Sequence, residues 1–507
     1  MARVVVIGAG VGGMATSMRL AALGHQITLL EARSQLGGKL ARYERDGFVF
    51  DTGPSLLTLP AVYRELFNST GGPFDDAVDL QALDIAFGYH WADGASAALP
   101  GVDPGRIATA LGDELGGTAE ADWRSFIERA GRIWQITRRP FLESPLDGLG
   151  TLVGLARDPR DVRTVAPWTS LRSLGRHYLR DPRLVTLLDR YASYTGSDPR
   201  RAPAALATVP YVEQAFGAWH LGGGIATLAD ALAHRCRQLG VEIATDVDVS
   251  GIRTTPDGVQ GVLTRDGDSI DADIVIANAD AQHVYRDLLD DPRARRVRRR
   301  LDRTTPSLSG FVILAAARGR TEGIRHHNVW FPANYDGEFD DIFGRRPRPV
   351  ADPTIYACVP DDDRMRPDAD SESWFILINA PRQGHTSSTV DWDEPGLAES
   401  YADHVLEALA RRGVDLRRRL LWREVRTPAD LQRATRAPGG SIYGSSSNGA
   451  RAAFLRPANV SPIPGLFLVG GSSHPGGGLP LVGLSAQIVA EAVGPPHEGK
   501  ALNSATA

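Results

Sequence analysis

Val4-Val5-Val6-Ile7 runs without a break into Gly8-Ala9-Gly10-Val11-Gly12-Gly13, and these ten residues decide the fold. A short apolar run rich in β-branched residues predicts a buried parallel strand, and the glycines behind it predict a tight turn into a helix. Gly8 permits the turn. Gly10 lets the main chain approach a pyrophosphate at the helix N-terminus, and Gly13 allows the helix to pack closely on the sheet. The helix is expected from about Gly12 to Leu23, with Gly24 as its stop. A second strand, Gln26 to Leu30, ends in Glu31, about twenty residues further on. A carboxylate there accepts hydrogen bonds from a ribose 2′-hydroxyl and repels a phosphate. The pattern predicts a dinucleotide-binding α/β unit.

Glycine-rich turns between strand and helix also occur without a nucleotide, so the context matters. Ala32 and the run Gly37-Gly38-Lys39 follow Glu31, and then comes Phe48-Val49-Phe50-Asp51-Thr52-Gly53-Pro54. This arrangement resembles flavoproteins with two dinucleotide-binding domains rather than nicotinamide dehydrogenases. The resemblance implies FAD, held by Gly8, Gly10, Gly12, Gly13, Glu31, Ala32, Gly37, Gly38, Lys39, Gly53 and Pro54.

At 507 residues the chain is long enough for two or three domains, and 42% hydrophobic with 23% charged residues describes an ordinary globular protein. No apolar run of membrane-spanning length occurs. The first strand begins at the third residue, which leaves no room for a signal or transit peptide, so a cytoplasmic protein is expected. A net charge of −5 and the lack of nucleic-acid-binding signatures argue against DNA or RNA partners. The two cysteines, Cys236 and Cys358, fit no metal-ligand spacing, and the pair His326-His327 has no third ligand nearby in sequence, so no metal site is predicted. Lysine occurs only at Lys39 and Lys500, which removes it from most catalytic roles.

Further along, residues 56–67 have helical spacing, with Leu59, Val62, Leu66 and Phe67 on one face. Short strands around Ile85 and His90-Trp91 open a second sheet, and residues 104–211 are helical in character, as an insertion that forms a lid. Within it, leucines from Leu146 to Leu155 precede Arg157, Arg160, Arg163 and Trp168, a mixture suited equally to a packed lid and to a helix in a membrane interface. The run from Arg293 to Arg300 reads as a solvated helix face. Apolar strands near 311–314, 329–331, 355–359 and 375–378 complete the second sheet.

Two stretches make the resemblance specific: residues 189–199, Asp-Arg-Tyr-Ala-Ser-Tyr-Thr-Gly-Ser-Asp-Pro, and residues 211–224, which end in Trp219-His220-Leu221-Gly222-Gly223-Gly224. With the glycine-rich segment 464–482 they are similar to the carotenoid and retinoid oxidoreductases of the bacterial phytoene desaturase type. Residues 440–448 and 454–459 look closer to the diapocarotenoid oxidase and late-desaturase branch, and His220 departs from the tyrosine or phenylalanine common at its place. The resemblance implies that Val247 meets adenine through its backbone, that Asn278 lies beside the cofactor, and that Gly470, Gly471, Gly478, Leu479, Pro480 and Val482 lie along the flavin, with a helix from about Val482 to Val493. That helix's positive end would stabilise reduced flavin.

The fold class so implied is α/β: an FAD-binding Rossmann-like unit with a mixed-sheet substrate domain and a helical lid insertion. The FAD unit takes residues 1–75, 221–290 and 431–494, substrate strands 76–103 and 291–430, the insertion 104–220, and a disordered tail 495–507. The activity implied is hydride removal from a hydrophobic polyene or isoprenoid onto FAD, chiefly desaturation, with oxygenation or isomerisation as the near alternatives and peripheral membrane contact for delivery. No second strand-embedded glycine fingerprint serves a nicotinamide, so oxygen or a quinone is the expected electron acceptor. An amine oxidase shares the architecture but typically holds a lysine near the flavin, and a non-catalytic prenyl-binding protein would not need segment 464–482. Asp51, Glu213 and His474 are the ionisable candidates for a proton acceptor or a stabilising charge.

Overall fold

The computed structural model describes residues 1–146, 158–449 and 456–496. Arg3–Ile7 sits at the centre of a five-stranded parallel sheet, between Gln26–Leu30 and Ile274–Ala277, with Glu242–Ala244 and Leu466–Leu468 at the edges. Its near-continuous apolar sequence follows from burial on both faces, Val4 and Val6 against helices and Val5 and Ile7 in a core with Val249, Ile252, Val262 and Val284. The helix Val11–Ala22 packs on one side with Thr227–Gln238 and Leu479–Val493, burying Met14, Met18, Leu228, Leu232 and Val489. The sheet thus draws strands from the two ends and the middle of the chain.

A seven-stranded mixed sheet forms the second unit, in the order Leu420–Arg426, Ser309–Arg318, Ser371–Ala380, Ile355–Cys358, His327–Trp330, Ile85–His90, Ser96–Pro100. Only His327–Trp330 and Ile85–His90 pair in parallel. The helical insertion does more than cover a cleft. Trp123, Phe126 and Ile133 of Ala119–Thr137 share one apolar core with Phe87, Tyr89, Val329 and Phe331 of this sheet. It is thereby fixed as a wall. No helix among the described residues is long and apolar enough to cross a membrane.

Several boundaries differ from the sequence expectation. The helix predicted over 56–67 is Ala61–Ser69, because Pro60 stands at its entry and Leu59 has a positive φ of 50°, outside any helix. The last helix begins at Leu479 rather than near Val482, since Pro480 suits a first turn where no amide donor is needed. A three-stranded antiparallel sheet, Val249–Thr255, Gly258–Thr264 and Ser269–Asp271, joins the nucleotide unit without having been predicted as a unit. The arginine run forms Arg295–Asp302, whose one buried residue is Leu301. Most of the leucine stretch after Leu146, with Arg157, and the tail beyond 496 lie outside the described residues; Trp168 is 70% exposed.

Candidate functional site

Two helices reach one cavity with no side chain capping their first turns. Val11–Ala22 starts after Gly10 and Leu479–Val493 after Gly478, and Gly10, Val11, Gly12, Gly478, Leu479 and Pro480 all line the cavity. Uncapped first-turn amides with the helix dipole behind them are an anion site. The turn before the first helix is held open for a ligand by its lack of side chains. A Cβ on Gly10 would lie 2.8 Å from Asn278 Nδ2, and one on Gly12 2.7 Å from Asn278 Oδ1.

Asn278 organises this corner. Its Nδ2 donates to the Gly8 carbonyl at 3.0 Å, and a Cβ on Gly470 (φ +109°) would stand 2.8 Å from its Oδ1. One side chain at the end of a central strand thus fixes both glycine loops. Gly13 does not line the cavity; its Cα faces the Gly8 carbonyl, in the close-packing role expected from its position.

Glu31 is 8% exposed and lies at the cavity edge, where Oε2 accepts from the Ala9 amide at 2.8 Å and Oε1 from the Arg33 amide at 3.1 Å. Its backbone pairs with both Ala244 and Val247, which places the 246–249 segment on the same rim. The Val247 amide donates to the Glu31 carbonyl at 2.9 Å. Ala32, Gly37, Gly38, Lys39, Gly53, Pro54, Gly471 and Val482 line the cavity as well. Gly53 is required by contact, since a Cβ there would fall 1.9 Å from the Lys39 carbonyl. Lys39 Nζ donates to the Ile442 carbonyl at 2.6 Å; the residue is open to the cavity, and the protein packed around it lowers its pKa through desolvation.

The cavity measures about 1860 Å³, near twice the upper range of a pocket for one small ligand. Beyond the glycine loops it is walled by Trp134, Leu206, Val209, Val212, Val312, Phe375 and Leu377, contributed by the insertion and the seven-stranded sheet. A dinucleotide cradle and an apolar chamber are therefore one space.

Of the three ionisable candidates, only Glu213 reaches it. Asp51 stands behind the wall, where its two oxygens accept the amides of Ile225 and Ala226 at 2.8 and 2.9 Å at the start of Thr227–Gln238. His474 is fully buried, its Nε2 on the Ser144 carbonyl at 3.0 Å and its ring edge-on to Phe141, and burial lowers its pKa. In this structure Asp51 anchors a helix start and His474 a loop, and neither lines the cavity.

Burial pushes the Asp51 carboxyl up to about 6 against those two amide bonds. The folded state then holds a proton that the unfolded state has lost between about pH 4 and pH 6, so this group's contribution to stability falls as pH rises through that window. Relative to Asp51→Asn, the parent is expected to lose about 2–3 kcal/mol between pH 4 and pH 7 in urea unfolding. An unchanged difference between the two proteins would remove Asp51 as the titrating group.

Sequence reasoning also missed residues that only folding brings together. Arg456 is buried and donates to the carbonyls of Tyr443, Ser445 and Gly471 at 2.8, 2.9 and 2.9 Å, tying two loops of the cavity wall. It lies in the stretch 454–459 singled out above, but its role shows only once the chain is folded. The pair His326-His327 does have a third neighbour, Cys358, on the paired strand; one ligand atom of each lies within 4.8 Å of the others. Burial keeps both imidazoles neutral and raises the thiol pKa.

The family model described as flavin containing amine oxidoreductase matches residues 11–350. The chain belongs to this family. It is a flavin-dependent oxidoreductase, and the uncapped helix ends and glycine cradle fit a flavin nucleotide. Among its relatives, 4,4′-diapolycopene oxygenase of Methylomonas sp is 32% identical over 97% of this chain and 98% of its own. Hydroxyneurosporene desaturase of Rubrivivax gelatinosus is 32% identical over 96% and 92%. The fold is shared with an oxidoreductase from Methanosarcina mazei at a TM-score of 0.64, with 16% identity over 96% of this chain and all of that one. The carotenoid-modifying relatives match from end to end, in line with the resemblance read from residues 189–224 and 464–482.

Proposed function

We propose that this flavoenzyme binds FAD noncovalently and removes hydride from an apolar polyene of the carotenoid class, by desaturation, with oxygenation of the same class of substrate as the second reading. The observation that carries this is the continuity of the cavity: the glycine cradle opens directly into a chamber walled by aliphatic and aromatic side chains. Flavin N5 is the hydride acceptor that the cofactor supplies when bound. The chain's own part is to hold a long apolar chain against it and exclude water, and positioning of this kind accounts for a large share of the rate of such reactions. The residue divisions 1–75, 221–290 and 431–494 for cofactor and 76–103 and 291–430 for substrate belong to the same reading. Relatives named as an oxygenase and as desaturases support both branches.

Anaerobic mixing of the purified protein with a panel of acyclic polyenes should bleach the oxidised flavin band with at least one member, and product analysis then separates desaturation from oxygenation. Failure of every polyene to reduce the flavin would overturn the proposal. Denaturation should release the flavin into solution.

A substrate this apolar arrives from a bilayer, and we propose reversible peripheral association through the region from Leu146 to Trp168. Trp168 is exposed there, beside the short helix Pro159–Val165 that carries Arg160 and Arg163. Flotation with anionic liposomes is expected to carry the protein upward, and charge reversal at Arg160 and Arg163 to abolish this. Binding that survives the reversal would leave only the packed wall.

A further inference from the structure

Arg190 has no reason to exist in a chamber built for hydrocarbon alone. It sits near the C-terminal end of the helix Pro182–Ser193 and lines the cavity, yet it is only 4% exposed. Among the described residues no carboxylate lies within ion-pair distance of it. Its guanidinium is instead enclosed by the rings of Tyr194, Tyr356 and Tyr89, at 4.7, 5.5 and 5.6 Å, and it donates to the Tyr194 hydroxyl. Aromatic faces attract a cation but leave its fork of N–H donors largely unused. A buried charge without a paired carboxylate is costly, and it is retained where something else completes the pairing.

The same wall carries a second incomplete group. Glu213 is 4% exposed; its Oε1 accepts from the Tyr191 hydroxyl at 2.6 Å, while Oε2 has no partner. Burial holds this carboxyl above its ordinary pKa, with the Tyr191 hydroxyl, the Arg190 charge and the Tyr194 hydroxyl opposing. Glu213 and Arg190 influence each other's charge without forming a direct ion pair.

The electrostatics also bear on the substrate. Hydride loss from a plain polyene builds positive charge along its conjugated chain, and a fixed cation in the chamber opposes that charge if it lies close. A polyene end that carries oxygen reverses the sign of the interaction, because a hydroxyl or carbonyl oxygen presents lone pairs and partial negative charge.

We propose that Arg190 and the Tyr194 hydroxyl, with Glu213 beside them, form a recognition site for the oxygen of a polyene that bears a hydroxyl or carbonyl function at one end. The inference rests on the polyene reading above and narrows it: the preferred ligand is an oxygenated polyene, positioned end-on by a guanidinium, while the aliphatic walls take the conjugated chain. A site built to hydrogen-bond such an oxygen discriminates against the analogue that lacks it, since its own donors are then left unpaired.

The test uses the flavin-loaded full chain under anaerobic conditions and reads binding by the perturbation of the flavin absorbance. Two polyenes of equal carbon number are compared, one hydrocarbon throughout and one with a terminal hydroxyl or aldehyde. The parent is expected to bind the oxygenated member at least about tenfold more tightly. Arg190→Met should erase that ratio, and Arg190→Gln, which keeps donors but no charge, should retain part of it. Flavin content and melting temperature of each variant establish that it is folded. An equal preference in parent and Arg190→Met, or none in the parent, overturns the recognition site while leaving polyene oxidation standing. If neither polyene perturbs the flavin, both the recognition site and the polyene reading fall together.

Discussion

Glu31→Arg is expected to leave the protein nearly devoid of flavin. The carboxylate accepts from two backbone amides, those of Ala9 inside the glycine turn and Arg33 beyond the strand, in a setting with little solvent. Hydrogen bonds to a charged acceptor contribute about 1.5–3 kcal/mol each, so losing both costs about 3–6 kcal/mol before any contact to a ribose is considered. Guanidinium offers only donors, and these would face the Ala9 N–H. Affinity for the cofactor should fall by about two to four orders of magnitude, read as the flavin-to-protein absorbance ratio and by reconstitution with added FAD. Glu31→Ala, which adds no opposing charge, should do less harm. Full flavin occupancy in Glu31→Arg would end the assignment of Glu31 to the nucleotide.

Gly13→Ala is expected to be nearly as damaging, by another route. The added Cβ would stand 2.2 Å from the Gly8 carbonyl oxygen, and that oxygen is itself held by Asn278 Nδ2 at 3.0 Å. Neither side of the clash is the loose end of a flexible chain, so the helix Val11–Ala22 must lift from the sheet. Backbone displacement within a packed core costs about 1–3 kcal/mol or more. Here it also moves the first-turn amides that face the anion. Chemical unfolding of the stripped protein and flavin titration should both shift. A variant with parental stability and flavin content would show that the helix has room that its contacts do not suggest.

The nucleotide unit was legible because its physics is local. The strand, the turn glycines and Glu31 lie within thirty residues, and each follows from backbone geometry at a fixed spacing. Most of the second sheet was visible as apolar runs. Its order was not, because strands such as Ser309–Arg318 and Leu420–Arg426 pair across a hundred residues with no sequence mark of register. The antiparallel sheet 249–271 had signals that were passed over, the turn residues Pro256-Asp257 and Asp266-Gly267 between short β-branched runs. The placing of Asp51 and His474 away from the cavity was not legible for one shared reason: a motif fixes where a residue lies along the chain, and the direction of its side chain depends on partners such as Ile225 and Ser144, far away in sequence. Cys358 joined His326 and His327 through strand pairing alone. The surroundings of Arg190 were not legible either, since Tyr89 and Tyr356 reach it from strands far away in sequence.

The way Asn278 bridges Gly8 and Gly470 also dictates when during folding the enzyme becomes competent. Gly12 packs beside Val469 and Val482, and the edge strand Leu466–Leu468 and the helix Leu479–Val493 come from the last tenth of the chain. A chain in which residues 466–493 have not yet docked has the N-terminal half of the nucleotide cradle and lacks the other, so cofactor loading must wait until those segments join the central sheet. Until then the apolar faces of the central sheet and of Val11–Ala22 await their last partner, and it is over this interval that chaperone supply and flavin supply govern the yield of active protein.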